Sequence, residues 1–255
     1  MTHAKRFSLE GRVALVTGAS RGLGRAIALA LADAGADVLC ASTQPGGADD
    51  TVASICAMGR RSEGLSADLS DREAVVALAD AAQRAFGAVD ILVNNAGTIR
   101  RQAAVDFTMA DWDATMRPNL DAVWLLSQQL GRGMIARGHG KIINIASLLS
   151  FSGGVTVPAY TASKHAVAGL TKALANEWAK HNVQVNAIAP GYFVTDNTER
   201  LRSDPTRSSE ISARIPAAYW GEPDDLAGAA VFLASPAASY VNGHVLVVDG
   251  GWMAR

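Results

Sequence analysis

Cysteine is almost absent from this 255-residue chain. Cys40 and Cys56 are the only two, too few for a disulfide framework or a cysteine-rich zinc site. Both fall in segments that read as strand and helix, which fits a reduced, cytoplasmic setting. The five histidines offer no substitute. His3 lies at the start, His139 in a glycine-rich turn, His165 beside Lys164, and His181 and His244 near element boundaries. No pair has the spacing of a zinc site on one helix, so no metal is expected. Excess charge is lacking too. A net charge of −1 gives no electrostatic reason to expect nucleic acid or an anionic membrane as a partner. No stretch approaches the roughly 18 apolar residues of a membrane span. The basic start, Met1-Thr2-His3-Ala4-Lys5-Arg6, is not followed by the apolar run of a secretory signal. Internal repeats and low-complexity linkers are missing as well. What is present, 49% hydrophobic and 18% charged residues, is ordinary for a globular chain. The length suits one large α/β domain over residues 1–255.

Strand and helix signals alternate along the whole sequence. Val13-Ala14-Leu15-Val16 is an apolar run suited to a strand buried on both faces. From Gly22 to Ala34, Ile27, Ala30, Leu31 and Ala34 recur at helical spacing, and Gly35 ends the helix. Asp37 to Ser42 reads as the second strand, and a helix toward Met58 follows the break at Pro45-Gly46-Gly47. Asp71 to Phe86 reads as an alanine-rich helix with acid at its positive end. Further strands are expected at Ile91 to Val93, Lys141 to Ala146, Val183 to Ile188 and Val245 to Val248. A long helix should enter at Pro158 and run to about Lys180. This order predicts a doubly wound, mostly parallel Rossmann-type sheet with helices on both faces. Residues 192–223 are richer in Thr, Ser, Arg and Asp, with Pro205 and Pro216 as breakers. They follow a strand end where such sheets bind ligands, and so are expected to form a substrate lid.

Two patterns carry chemistry. Thr17-Gly18-Ala19-Ser20-Arg21-Gly22-Leu23-Gly24 lies between a strand and a helix. Its glycines let backbone approach a pyrophosphate, and the helix start favours the negative charge. Gly18, Ser20, Arg21, Gly22, Leu23 and Gly24 are the expected contacts. Tyr160 and Lys164 stand four apart on one helix face. A phenol is a poor acid, with a reference pKa of about 10, and a nearby ammonium is expected to lower it. Ser147, thirteen residues earlier at the end of an apolar run, supplies a hydroxyl to hold the same substrate oxygen. A dinucleotide cradle plus a proton relay points to hydride transfer between a nicotinamide and a carbonyl or alcohol.

Other positions refine the site. An acid at the end of the second strand would bind ribose hydroxyls and repel a 2′-phosphate. That position is Ser42, followed by Thr43, and neither excludes the phosphate. Arg21 is the nearest candidate cation for NADP, or else a solvated loop charge. Asp68, beside Leu69, can accept from an adenine amino group or cap the next helix. Asn95, Ala96 and Gly97, after Asn94, can line adenosine and tie strands together. Arg100 and Arg101 follow the fourth strand and can hold a carboxylate by paired hydrogen bonds, with Arg214 a second candidate. The alternative for these arginines is surface charge or a subunit contact. Trp112, Trp124, Trp178, Trp220 and Trp252 read as core or interface, with Trp220 a candidate for the substrate pocket. Asn119 follows Arg117-Pro118, and an Asn inside a helix competes locally with the backbone, which marks a kink.

Thr17 to Gly24, Asn94 to Gly97, Asn119, Ser147, Tyr160 to Lys164 and Pro190-Gly191 together resemble the short-chain dehydrogenase/reductase family over nearly the full length. The resemblance implies a seven-stranded Rossmann-type sheet and a homotetramer. It implies Tyr160 as general acid/base, Ser147 holding the substrate oxygen, Lys164 on the nicotinamide ribose, and Asn119 holding a water of the proton path. It also places Pro190, Gly191 and Thr195 near the nicotinamide. Gly97 to Arg101, Asn176 to Asn182, Ile215-Pro216, Trp220-Gly221 and Asp249 to Arg255 resemble one branch, the 2-dehydro-3-deoxy-D-gluconate 5-dehydrogenases, also described as 2-deoxy-D-gluconate 3-dehydrogenases. That branch implies a sugar-acid substrate and NAD, with NADP not excluded. The alternatives are an NADP-dependent 3-oxoacyl or general carbonyl reductase and a non-catalytic nucleotide sensor. The small residues Ala162, Ala166, Gly169 and Ala173 on the long helix suit either a subunit contact or a buried intrachain seam.

Overall fold

The computed structural model describes residues 4–255, so His3 lies outside the described residues. Strands and helices alternate as β1 (Val13–Thr17), α1 (Gly22–Asp33), β2 (Asp37–Ser42), α2 (Asp49–Ala57), β3 (Ser62–Ser66), α3 (Arg72–Phe86) and β4 (Ile91–Asn94). The second half contains α4 (Met109–Met116), α5 (Ala122–Arg137), β5 (Gly140–Ile145), α6 (Pro158–Trp178), β6 (Val183–Pro190), α7 (Glu199–Arg202), α8 (Pro205–Arg214), α9 (Pro223–Ala234) and β7 (Val245–Val248). The seven strands form one parallel sheet in the order β3-β2-β1-β4-β5-β6-β7.

The apolar strands are unbroken because both faces are covered. Alternate residues point to opposite faces: Ala14 and Val16 of β1 join one buried cluster, Val13 and Leu15 the other. Ile27 and Leu31 of α1 with Leu226 and Leu233 of α9 close the first layer. Leu78 of α3, Leu126 and Leu130 of α5, and Leu174 and Trp178 of α6 close the second. Each such side chain contributes roughly 1.5–3 kcal/mol on burial, so the sheet is a rigid platform. The two edge strands differ: β3 is half-exposed and carries no apolar run, and β7 is apolar but only half-buried. β6 extends two residues past Ile188 to Pro190, whose ring removes only a donor at the strand's last position.

Strand order reverses between β1 and β4, which opens a crevice at their carboxyl ends. Asn95 and Thr17 lock its two sides. Asn95 donates through Nδ2 to the carbonyls of Thr17 (2.8 Å) and Gly18 (3.3 Å). Thr17 Oγ1 accepts from the backbone of Asn95 and Ala96, each at 3.0 Å. Deeper, Asn94 Nδ2 donates to Asn144 Oδ1 (2.9 Å), and Asn144 Nδ2 donates to Thr171 Oγ1 of α6 (2.9 Å). The helix bearing Tyr160 and Lys164 is thus tied to the strands beneath it. On its outer side, Gly169 and Ala173 are exposed, so the row of small residues is not a buried intrachain seam. No helix among the described residues is long and apolar enough to cross a membrane.

Candidate active site

The crevice holds a cavity of about 1460 Å³. A ligand of drug size needs roughly 300–1,000 Å³, so there is room for a large ligand and a small one together. Its lining runs from the glycine-rich loop and Ser42 at one end, past Asn95 to Gly97, to Ser147, Tyr160 and Lys164, and out to Arg214. Asp68, Leu69, Arg100, Arg101, Pro190, Gly191 and Thr195 also line it. Asn119 and Trp220 do not.

The loop is built for an anionic ligand. Gly18 (φ +65°) and Gly22 (φ +54°) take left-handed backbone that side chains disfavour. A Cβ at Gly24 would collide with the Gly18 carbonyl and the Asn95 amide. α1 has no side-chain cap, so the N–H groups of its first turn are available to a ligand in the cavity. These features fit the pyrophosphate of a dinucleotide. Ser42 donates to the Gln44 carbonyl (2.8 Å), leaving no acid at the end of β2. Asp68 accepts from Ser70 N (2.9 Å) and Ser70 Oγ (2.7 Å), bonds that hold its carboxyl below the usual range. It does not cap the next helix, because Asp71 does so by accepting from Glu73 N (2.9 Å).

Tyr160 and Lys164 project from the first turns of α6, and Ser147 follows β5. Ser147 Oγ accepts from Leu149 N at 3.1 Å, which fixes its rotamer. The environment of Tyr160 is richer than its spacing from Lys164 indicates. Burial raises the Tyr160 phenol above its ordinary value, while the Ser147 hydroxyl and the Arg101 charge pull it down. Lys164 Nζ sits 5.6 Å from the centre of the Tyr160 ring and donates to the Ile145 carbonyl. Its own pKa is pushed down to about 8 by burial. Arg101, a residue distant in sequence, thus adds a second positive charge that acts on the phenol.

Asn119 lies in a π-helical turn, Arg117–Asp121, fully buried. Such turns occur often at functional sites. Its Oδ1 accepts from Thr98 N (2.8 Å) and its Nδ2 donates to Thr98 O (2.9 Å) and, more weakly, to Ser163 Oγ (3.4 Å). The side chain braces the loop after β4 against α6 and does not itself enter the cavity.

Residues 192–223 cross the mouth as a 3₁₀ turn (Asp196–Thr198), α7 and α8. Arg21 pairs with Asp196 at 2.6 Å and Arg101 donates to the Asn197 carbonyl at 3.2 Å. Arg21 is thus engaged by the segment over the site. Both members of that pair are largely exposed, so it holds the crossing loosely. Thr195 shares a capping box with Thr198. Trp220 needs correction as a pocket residue: its indole N–H donates to Ser212 Oγ (3.0 Å) and its ring meets Tyr192 edge-on. Besides Tyr160 and Phe193, Tyr192 and Trp252 are aromatics that line the cavity. Sequence reasoning left them out because Tyr192 directly follows Pro190-Gly191 without a motif of its own, and Trp252 reads as core.

Seven arginines line the cavity (Arg21, Arg100, Arg101, Arg117, Arg207, Arg214, Arg255) against three aspartates (Asp68, Asp113, Asp196). Arg117 pairs with Asp113 and Arg207 with Glu210. Arg100, Arg101, Arg214 and Arg255 have no carboxylate partner among the described residues. No group of three or more His, Cys, Asp or Glu among the described residues is placed to hold a metal.

Comparison with known proteins agrees with this layout. Residues 18–253 match a family model described as enoyl-(acyl carrier protein) reductase. The chain is 55% identical over 251 residues, covering 98% of each, to a 2-dehydro-3-deoxy-D-gluconate 5-dehydrogenase of Dickeya dadantii. A crystal structure of a putative 2-deoxy-D-gluconate 3-dehydrogenase from Agrobacterium tumefaciens with bound NADP is 54% identical, with a TM-score of 0.92 over 98% of this chain and 99% of that one. A gluconate 5-dehydrogenase from Burkholderia cenocepacia in complex with NADP and tartrate is 42% identical, with a TM-score of 0.96 over the whole of both chains. With its parallel sheet, its glycine-rich crevice and these full-length matches, the chain belongs to the short-chain dehydrogenase/reductase family of oxidoreductases.

Proposed function

We propose that the protein interconverts a secondary alcohol and a ketone on a small sugar acid, such as 2-dehydro-3-deoxy-D-gluconate or 2-deoxy-D-gluconate. A bound nicotinamide dinucleotide supplies or accepts the hydride. The observation that carries the reading is one cavity joining the Ser147, Tyr160 and Lys164 side chains to arginines that lack carboxylate partners. A guanidinium presents donors matched to a carboxylate, and Arg101 is near enough to influence the Tyr160 phenol.

In this reading Gly18 to Gly24 hold the pyrophosphate, Ser42 the adenosine ribose, and Asp68 with Leu69 the adenine. Asn95, Ala96 and Gly97 line the middle of the dinucleotide, and Lys164 binds the nicotinamide ribose. Pro190, Gly191 and Thr195 stand at the nicotinamide end. The sugar-acid branch that the chain resembles favours NAD(H), and the absence of an acid at Ser42 leaves a 2′-phosphate unopposed, so NADP(H) is admitted as well. Tyr160 moves the proton at its phenolic oxygen, and Ser147 donates to the substrate oxygen as negative charge develops there. Because burial keeps the phenol protonated at neutral pH, it is poised as the acid for ketone reduction. Asn119 positions this machinery through Thr98 and Ser163. Residues 192–223 act as the lid.

The reading is tested by a screen of uronate-derived acids against acetoacetyl thioesters, each with NADH and NADPH, followed at the nicotinamide absorbance. Turnover of a keto-deoxy sugar acid at least tenfold above any thioester is expected. Faster thioester turnover would favour the carbonyl-reductase alternative, and dinucleotide binding without any turnover would favour a sensor.

A homotetramer is proposed as well. Exposed Gly169 and Ala173 on α6 and half-exposed Trp124 on α5 offer a close-packing face. Sedimentation equilibrium should give four times the 26.5 kDa chain mass; a monomer at micromolar concentration would refute it.

A further inference from the structure

The segment Asp249–Arg255 is built into the wall of the cavity. Gly250 (φ +63°) and Gly251 (φ +93°) turn the chain back on itself. A Cβ on Gly250 would sit 2.9 Å from Ile215 Cγ2, so the segment packs directly on the residues after α8. Asp249 secures the turn: Oδ1 accepts from Gly251 N and Oδ2 from Met253 N, both at 2.8 Å. Arg255 then reaches across and donates through Nη1 to the carbonyls of Ala213 (3.2 Å) and Arg214 (3.4 Å), the open end of α8.

This arrangement fixes one cation. The Arg214 guanidinium lies 4.0 Å over the Trp252 ring. Trp252 in turn packs against Tyr192, with ring centres 4.6 Å apart. A stacked guanidinium keeps its edge donors available while losing rotamer freedom. Arg207, its neighbour on α8, is already paired with Glu210 at 2.7 Å. Arg214 has no carboxylate partner among the described residues and lines the cavity. Of the arginines without a carboxylate partner, Arg101 lies toward Tyr160, whose phenol its charge pulls down, whereas Arg214 lies at the Trp252 and Tyr192 wall.

We infer that Arg214, held over the Trp252 ring and backed by Arg255, binds the substrate carboxylate at the end of the molecule remote from Ser147 and Tyr160, and so sets the preference for acids over uncharged polyols. The inference rests on the sugar-acid reading. In a six-carbon acid that reacts near one end, the carboxylate sits at the other, where a second cation is needed. Arg214 is a substrate-binding residue; Trp252 and Arg255 are positioning residues.

The test compares 2-dehydro-3-deoxy-D-gluconate with its methyl ester, which keeps the carbon chain and removes the charge. A charge-assisted hydrogen bond lost on replacement corresponds to a weakening of about 30-fold. Arg214→Ala should raise KM for the acid by that factor and weaken its calorimetric Kd equally. It should leave kcat, the pH profile and the ester's kcat/KM within about twofold. Trp252→Ala should give a partial loss on the acid alone, and Trp252→Phe should restore most of it. An equal loss on acid and ester would show a merely structural role and overturn the inference, as would an unchanged Kd. If wild type turns over the acid and Arg214→Ala does so equally well, the inference falls while the sugar-acid reading stands. If wild type binds the acid through Arg214 but never turns it over, the reading falls and the binding site stands. If wild type does not bind the acid, both fall.

Discussion

Replacing Tyr160 by Phe is expected to lower kcat about a thousandfold, within the range for loss of a general acid/base, while dinucleotide affinity changes less than about threefold. The substitution removes one oxygen from a ring that keeps its packing at the start of α6. Steady-state rates in both directions, with NADH binding followed by fluorescence, separate the two effects. A Tyr160→Phe variant with wild-type turnover would sink the assignment. The pH dependence follows from the same environment. Burial raises the phenol, so the protonated acid needed for reduction dominates at neutral pH, and oxidation, which needs the phenolate, should accelerate into the alkaline range. Arg101→Ala removes a charge that pulls the phenol down, so the alkaline limb of oxidation should move to higher pH. Lys164, at about 8, loses its ammonium first. Cofactor KM should therefore rise above that pH if the ammonium grips the ribose.

Much of this was legible before any coordinates. β2 and β7 have the residue bounds that their apolar runs indicate; β2 is covered on both faces and tolerates few polar side chains, while β7, at the sheet edge, keeps an apolar run though only half-buried. The edge strand β3, Ser62–Ser66, shows no such run and is placed only by its neighbours. The glycine-rich loop and the Tyr160–Lys164 spacing are local patterns, and local patterns survive folding. What could not be read depends on contacts between distant segments. Trp220 and Trp252 look alike in sequence, yet a hydrogen bond to Ser212 withdraws one from the cavity and a stacked Arg214 brings the other to its wall. Arg21 looks like a free cation until Asp196 is found beside it. The Arg101 charge that also pulls the phenol down comes from a loop far away in sequence, and the bond from the lysine's ammonium to the Ile145 carbonyl joins two different elements.

Gly24→Ala should produce the opposite phenotype to Tyr160→Phe. The new methyl would overlap the Gly18 carbonyl and the Asn95 amide. Neither is the loose end of a flexible chain. The Asn95 Nδ2 is held by bonds to the Thr17 and Gly18 carbonyls, and Gly18 occupies left-handed backbone. Relief therefore requires the loop to move away from α1, which opens the pyrophosphate cradle and breaks the clamp between β1 and β4. A forced shift of this kind in a packed site costs about 1–3 kcal/mol of stability. NADH and NADPH affinity should fall about 5- to 150-fold, the same ~1–3 kcal/mol being required whenever the loop must close on a ligand. Gly22→Ala provides the graded control. Its methyl would meet only Thr195 Cγ2, at an ordinary 3.6 Å, so its cost is the left-handed backbone alone, about 1–2 kcal/mol. Calorimetric titration with each dinucleotide, alongside thermal melts, should rank Gly24→Ala below Gly22→Ala in affinity. Wild-type affinity in folded Gly24→Ala would mean that the dinucleotide does not lie on this loop. The proton relay would then have to work against a hydride carrier bound elsewhere, and the cavity that joins the two could no longer explain the chemistry.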